Sequence, residues 1–261
     1  MNFNDFFKED EKPLDALVSD GGFSGIFRTV ACVGDSLSSG EFEKVTDGIR
    51  SYHDMYDYSW GQFFARMSGN KVYNFSKGGM TAKVYCESFA ADRGFWDKEK
   101  ASQAYIIAMG VNDVVRVLNG EYDFGDVTDI DLENYNNNKD TFVGHYAKII
   151  QRYKEIQPDS FFFLMTMPMG GNCNDKIQAY HDMHRELMYK LSEIFTNTFV
   201  LDFRKYAPVY DDEFRKNFYL EGHMTPTGYL LTGKMVASYI DYIIRHNMPK
   251  FKRVGFIGSG I

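Results

Sequence analysis

The chain has 261 residues, 44% of them hydrophobic and 16% aromatic, with a formal net charge of −7. That supply of apolar side chains can fill a core of several layers, and no Pro/Ser/Gly-rich linker divides it, so one domain over residues 1–261 is expected. The negative balance argues against nucleic acid or an anionic membrane as a partner, since both attract basic surfaces; a neutral small molecule fits better.

In chain order, the stretch from Met1 to Glu11 lacks the basic, then apolar, then small-residue order of a secretory signal. No later apolar run has the length of a bilayer span, which predicts a cytoplasmic protein. Nothing further is legible through Phe27. Thr29–Gly34 is the first of five short runs rich in β-branched or aromatic residues, followed by Lys71–Phe75, Ala104–Met109, Phe161–Thr166 and Thr198–Asp202. Each reads as a buried strand. Between the first two, Tyr52–Trp60 packs four aromatic residues among aspartates and reads as a loop, as does the acidic, Asn-rich stretch Asn119–Lys139. In an open α/β sheet such loops border the binding crevice, so these aromatic and acidic side chains are candidates to face a sugar.

Helical stripes fill the remaining intervals. Tyr146, Ile149, Ile150, Tyr153 and Ile156 keep helical spacing and stop before Pro158. Ile177, Tyr180, Leu187, Met188, Leu191, Ile194 and Phe195 follow a cap at Asn174-Asp175, with His181 and His184 read as part of the solvated face. Leu230 to Ile244 forms the last stripe, after Thr225-Pro226, a pair suited to starting a helix. Strands alternating with helices imply a parallel sheet covered on both faces. Cys32, Cys86 and Cys173 are odd in number and widely spaced, fitting neither a disulfide framework nor a zinc site, and read as reduced, buried thiols. No metal and no cofactor is expected, since no His/Glu pair has metal spacing and no Gly-x-Gly-x-x-Gly follows a strand.

Four polar blocks fall at strand ends or before the last helix. The first strand runs into Gly34-Asp35-Ser36-Leu37, a serine on a tight turn. The second is followed by Asn74-Phe75-Ser76-Lys77-Gly78-Gly79-Met80-Thr81, whose glycines allow backbone N–H groups close to a ligand. After the third comes Gly110-Val111-Asn112-Asp113, and near the C-terminus Gly222-His223-Met224-Thr225-Pro226. Acyl transfer needs a hydroxyl nucleophile, a base to take its proton and donors for the developing oxyanion. Ser36, His223, the Gly79 backbone N–H and the Asn112 amide are residues of those types. Asp35 and Asp113 read as local hydrogen-bonding groups.

Taken together and in this order, the blocks resemble those of the SGNH hydrolases, the GDSL family of esterases and lipases, over residues 29–230, leaving 1–28 and 248–261 as extensions. The resemblance implies a three-layer α/β/α sandwich around a five-stranded parallel sheet of flavodoxin-like kind. It also implies Ser36 as nucleophile, His223 as general base, and the Ser36 N–H, Gly79 N–H and Asn112 side chain as oxyanion donors. One position departs: where the family has an aspartate three residues before the histidine, this chain has Leu220. The replacements open to it are Glu221, a distant carboxylate such as Asp211 or Asp212, or a main-chain carbonyl, with Glu221 and the carbonyl favoured by proximity. Adjacent side chains of an extended segment point apart, which counts against Glu221.

The expected activity is hydrolysis of a carboxylic ester with a short acyl group, an O-acetyl carbohydrate being the first candidate. Two rivals stand beside it. One is a binding protein without turnover on the same fold, and the other is a flavodoxin-like binder of a nucleotide or phosphate. The absence of Lys or Arg in the first turn weighs against the latter, although Lys77 stands in the second. Oligomeric state is not legible.

Overall fold

A computed structural model describes residues 7–8, 10–171 and 173–259. The expectation about a leader rests on the stretch from Met1, most of which lies outside these residues. Nine strands occur in the described chain: β1 (Thr29–Gly34), β2 (Glu41–Thr46), β3 (Ile49–Asp54), β4 (Lys71–Ser76), β5 (Ala104–Ala108), β6 (Phe161–Met165), β7 (Thr198–Leu201), β8 (Tyr219–Leu220) and β9 (His223–Met224). Five of them form the central sheet in the order β4-β1-β5-β6-β7, every pair parallel. The runs read as strands are therefore strands, within a residue or two at their ends.

Alternation along each strand divides the interior into two layers of core. Ala31 and Val33 of β1, Tyr105 and Ile107 of β5, and Phe162 and Leu164 of β6 face one side, under the helices Phe142–Ile156 and Asp175–Ile194. Val30, Cys32, Ile106 and Phe163 face the other, under Trp60–Ser68 and Pro226–His246. Burying each large apolar side chain contributes roughly 1.5–3 kcal/mol, so the two layers together hold the sheet between its helices. On the first side the rings stack directly: Tyr105 lies 4.1 Å from Tyr153 and 5.2 Å from Phe162 between centroids. The helices start where their caps place them: Thr141 accepts from Gly144 N–H, Asn174 from Ile177 N–H and Thr225 from Gly228 N–H.

Three expectations change. Tyr52–Trp60 is not one loop: Tyr52 lies in β3, Tyr56–Tyr58 is a 3-10 turn and Trp60 opens a helix. β2 and β3 form an antiparallel hairpin, Thr46 opposite Ile49, across the two-residue turn Asp47-Gly48, whose φ values are +52° and +76°. Asp-Gly between alternating residues is the sequence signal for such a turn. The second change concerns the histidines. His184 is fully buried against Phe142 and its Nε2 donates to the Met109 carbonyl at 2.9 Å, because its helix turns that face into the core. Burial pushes its imidazole down to about 4. Third, Cys32 and Cys86 are buried free thiols, while Cys173 is half-exposed. Among the described residues no helix is long and apolar enough to cross a membrane.

Candidate active site

The parallel sheet brings three of the four sequence blocks together, because β4, β1 and β5 are neighbours and each block follows a carboxyl end. At the middle strand Gly34 must be glycine: a Cβ there would stand 2.2 Å from Ser38 Oγ and 2.9 Å from the Ala108 carbonyl. This close approach lets β1 turn at once into the short helix Ser36–Ser39. Asp35 caps that helix, its Oδ1 accepting from Leu37 N–H at 3.1 Å. Ser36 is thus half-buried on the first helical position, where its own N–H points out of the helix. Buried beside Asp113, the Asp35 carboxyl is pushed up to about 7, burial being the larger cause.

The second and third blocks are tied to one another. Asn112 Nδ2 donates to the Met80 carbonyl at 3.1 Å, leaving its other amide hydrogen for a second acceptor. Asp113 Oδ1 accepts from Ala82 N–H at 2.9 Å and from the Tyr122 hydroxyl at 2.7 Å. Those bonds lower the Asp113 carboxyl, but burial outweighs them and holds it near about 6. Gly79 is exposed in its turn with φ +71°, and Gly110 at φ +136° abuts the His184 ring, where a Cβ would come within 2.7 Å. The core histidine on the buried face of its helix thereby sets the approach of the asparagine block.

His223 arrives from the other side of the chain. β8 and β9 form a small antiparallel hairpin with Leu220 opposite His223, and β9 packs against the Ser36 helix and against β2. The histidine side chain is 14% exposed, and both ring nitrogens meet carboxylates from β2. Nδ1 donates to Glu43 Oε2 at 3.0 Å, and Nε2 lies 3.2 Å from Glu41 Oε1. Residues 41 and 43 share a face of the strand, so one strand addresses both edges of the ring. Glu43 is the better held. It is only 1% exposed, accepts from Gly222 N–H at 3.0 Å, and its Oε1 pairs with Arg50 Nη1 across the hairpin at 2.5 Å. Burial raises its carboxyl, yet the His223 and Gly222 hydrogen bonds and the Arg50 charge outweigh it and hold the group below the usual range. Tyr52, on β3, sets its ring edge-on to the imidazole at 5.8 Å.

The partner of His223 is therefore a distant carboxylate, one of the three kinds expected, but none of the residues named for that place. Glu221 occupies the two-residue turn between β8 and β9 with φ +56°, and the turn leaves it exposed. Asp211 caps the helix Asp212–Phe218, accepting from Phe214 N–H, and Asp212 lies in that helix's first turn. Among the described residues no main-chain carbonyl takes that ring nitrogen, which Glu43 occupies. Nothing local marks Glu43, which is 180 residues away in sequence. The Asp47-Gly48 turn, by setting Glu41 and Glu43 on a strand, was the available hint. A cluster with metal-ligand geometry lies elsewhere: Glu87, Asp140 and His145 place ligand atoms within 4.8 Å of one another, with Lys83 Nζ 2.7 Å from both Asp140 oxygens.

Comparison with known proteins agrees with this architecture. No curated protein sequence matches the chain. Solved structures that resemble it include a family two carbohydrate esterase from Clostridium thermocellum in complex with cellohexaose, at 14% identity and TM-score 0.58, covering 85% of this chain and 65% of that one. Others are a Corynascus thermopiles (Myceliophthora fergusii) carbohydrate esterase family 2 enzyme, at 14% identity and 0.55 over 83% and 66% of the two chains, and a Clostridium thermocellum family 3 carbohydrate esterase, at 14% and 0.53 over 84% and 98%. At such identities the likeness is one of fold, the α/β architecture of the SGNH hydrolases. The model of the GDSL-like lipase/acylhydrolase family matches residues 32–231, from within β1 to the last helix. The chain belongs to the GDSL-like lipase/acylhydrolase family.

Proposed function

We propose that the protein is a serine esterase that removes a short acyl group, an O-acetyl group on a carbohydrate before others, through an acyl-enzyme on Ser36. The observation that carries this reading is the hydrogen bond from His223 Nδ1 to buried Glu43. A carboxylate on that nitrogen fixes the tautomer and favours the imidazolium, the service that the aspartate performs in a serine protease. His223 then takes the Ser36 proton on attack and returns it to the leaving alcohol, and in the second half it draws a proton from water to free the acyl group. The charge on the tetrahedral oxygen is met by the N–H groups of Ser36 and Gly79 and by the free Asn112 amide hydrogen.

Two features support the substrate class. Next to the short helix that carries Ser36, though not lined by Ser36 itself, lies a cavity of about 50 Å³ bordered by Asp35, Leu37, Ser38, Met109, Met165 and Thr166 among others. A cavity of that size has room for a small group, which is compatible with a short acyl tail. Tyr52 at the histidine and Tyr58, exposed on the next turn, are rings that a sugar face could stack on. The structural resemblance to carbohydrate esterases points the same way. The rival reading, a binding protein without turnover, draws on Glu41, which stands at the nitrogen that should face Ser36.

Hydrolysis of p-nitrophenyl acetate and of an acetylated oligosaccharide by the wild type and Ser36→Ala separates these readings. Loss of both activities in the variant is expected; equal rates in the two proteins would remove Ser36 from the mechanism.

A further inference from the structure

Glu41 has no place in the scheme above, and the two carboxylates on His223 are not equivalent. Glu43 is enclosed and has three partners. Glu41, at the mouth of the hairpin, is 13% exposed in its side chain, and among the described residues its carboxylate has no charged partner other than the imidazole. Its backbone is fixed, since its carbonyl accepts from the Tyr229 hydroxyl at 2.6 Å and it pairs with Asp54 in the hairpin. Only the side chain is free to turn. The direction in which it points is informative: Glu41 Oε2 lies so close over Gly78 that a Cβ on that glycine would stand 2.1 Å from it. The carboxylate thus spans from the glycine turn, which supplies an oxyanion donor, to the ring nitrogen that would serve as base. A planar carboxylate in that position covers the ground that a planar ester has to occupy.

We propose that Glu41 is a displaceable competitor for the base: in the resting protein its carboxylate accepts from Nε2–H of a doubly protonated His223, and as an ester reaches Ser36 that proton leaves to solvent, the carboxylate turns away and Nε2 is left as the base. The proposal rests on the Ser36 and His223 reading. It also accounts for the feature that favoured a binding protein, because an occupied Nε2 is then a resting arrangement and not a broken one. The groups facing the Glu41 carboxylate or charged near it are His223 from β9, Asp54 from β3, Glu43 from β2, Asp35 at the end of β1 and Tyr229 from the last helix. Four of these five carry or develop negative charge, and burial joins Asp54 and Glu43 in raising the Glu41 carboxyl against the opposing pull of His223. Carboxylate occupancy therefore depends on the imidazole, and protonation of Glu41 weakens its claim on Nε2.

The test is the rate at which a fluorophosphonate labels Ser36 in wild type, Glu41→Ala, Glu41→Gln and Ser36→Ala between pH 5 and 9. An ion pair at a partly exposed site is worth little, so Glu41→Ala is expected to label roughly three- to tenfold faster than wild type near neutral pH, with Glu41→Gln in between. The advantage of Glu41→Ala shrinks as the pH falls and wild-type Glu41 protonates, a profile that a purely structural role would not produce. Glu41→Gln, nearly isosteric, carries the same comparison if the alanine variant folds poorly. Labelling of wild type with neither variant any faster at any pH overturns the proposal and leaves the hydrolase reading intact. No labelling of wild type or of either Glu41 variant overturns both.

Discussion

The site is assembled from two unlike regions. The side proposed to carry the nucleophile is the edge of a parallel sheet, where β4, β1 and β5 end side by side and each contributes a turn. Its histidine side is made of two small antiparallel hairpins outside that sheet, Glu41–Asp54 and Tyr219–Met224. On the sheet edge the strands fix the geometry, and the polar residues need only follow at set distances from the strand ends. On the hairpin side the critical pair is held by contacts between residues far apart in sequence, Glu43 with His223 and with Gly222. A sheet edge can therefore be recognised block by block, whereas a hairpin can bring to the histidine a carboxylate that nothing near it in sequence announces.

The sharpest way to break this comparison is at Glu43. Glu43→Gln keeps an acceptor for the imidazole but removes the charge that favours the imidazolium, so ester turnover is expected to fall by on the order of 10³ or more in kcat with KM little changed. A kcat within threefold of wild type in a folded Glu43→Gln would show that the hairpin only packs against the histidine. On the sheet edge the corresponding variant is Asn112→Ala, for which a loss on the order of 10²–10³ in kcat is expected from removing one oxyanion donor. If KM rises instead while kcat holds, Asn112 positions the ground state and not the tetrahedral intermediate.

These regions differed in the same way in how far sequence reached. The five strands were legible because buried parallel strands are continuous apolar runs, as in Tyr105-Ile106-Ile107, and the blocks at their ends lie within a few residues of them. The hairpin was obscured by its own composition. Glu41-Phe42-Glu43-Lys44-Val45-Thr46 is polar on one face because that face meets a histidine and not a core. Tyr52 stood among aspartates and tyrosines in a stretch that looked irregular. His184 failed for the converse reason, a polar residue beside Arg185 and Glu186 that turns inward to bond the Met109 carbonyl. Periodicity locates burial; it does not report which polar group has found a buried partner.

Stability gives a third, smaller test of the sheet edge. Asp113 holds the N–H of Ala82 and the Tyr122 hydroxyl, so Asp113→Ala is expected to cost about 2–3 kcal/mol, read as a lowered Tm. Asp113→Asn separates the charge from the bonds. Because burial holds the native carboxyl near about 6, above its usual value, the folded state keeps this proton more tightly than the unfolded chain does. Its contribution is full below the unfolded pKa and is lost as the pH rises through about 6. The wild type is therefore expected to lose stability relative to Asp113→Asn across that window; parallel melting profiles from pH 4 to 8 would mean that the native carboxyl titrates normally.

The smallest effects discriminate between the turn and the strand. Arg50 is exposed and pairs with Glu43 from outside, so Arg50→Ala is expected to lower kcat/KM only a few-fold, because an exposed ion pair contributes little. Glu221 is the residue next to the histidine in sequence and the one that proximity favours as its partner. Yet its left-handed backbone at the hairpin turn sends the chain back before the side chain can reach the ring, and Glu43 fills the position. Glu221→Ala is accordingly expected to leave kcat/KM within twofold of wild type, measured on the same ester as Glu43→Gln. A loss in Glu221→Ala matching that in Glu43→Gln would transfer the orienting role from the strand to the turn.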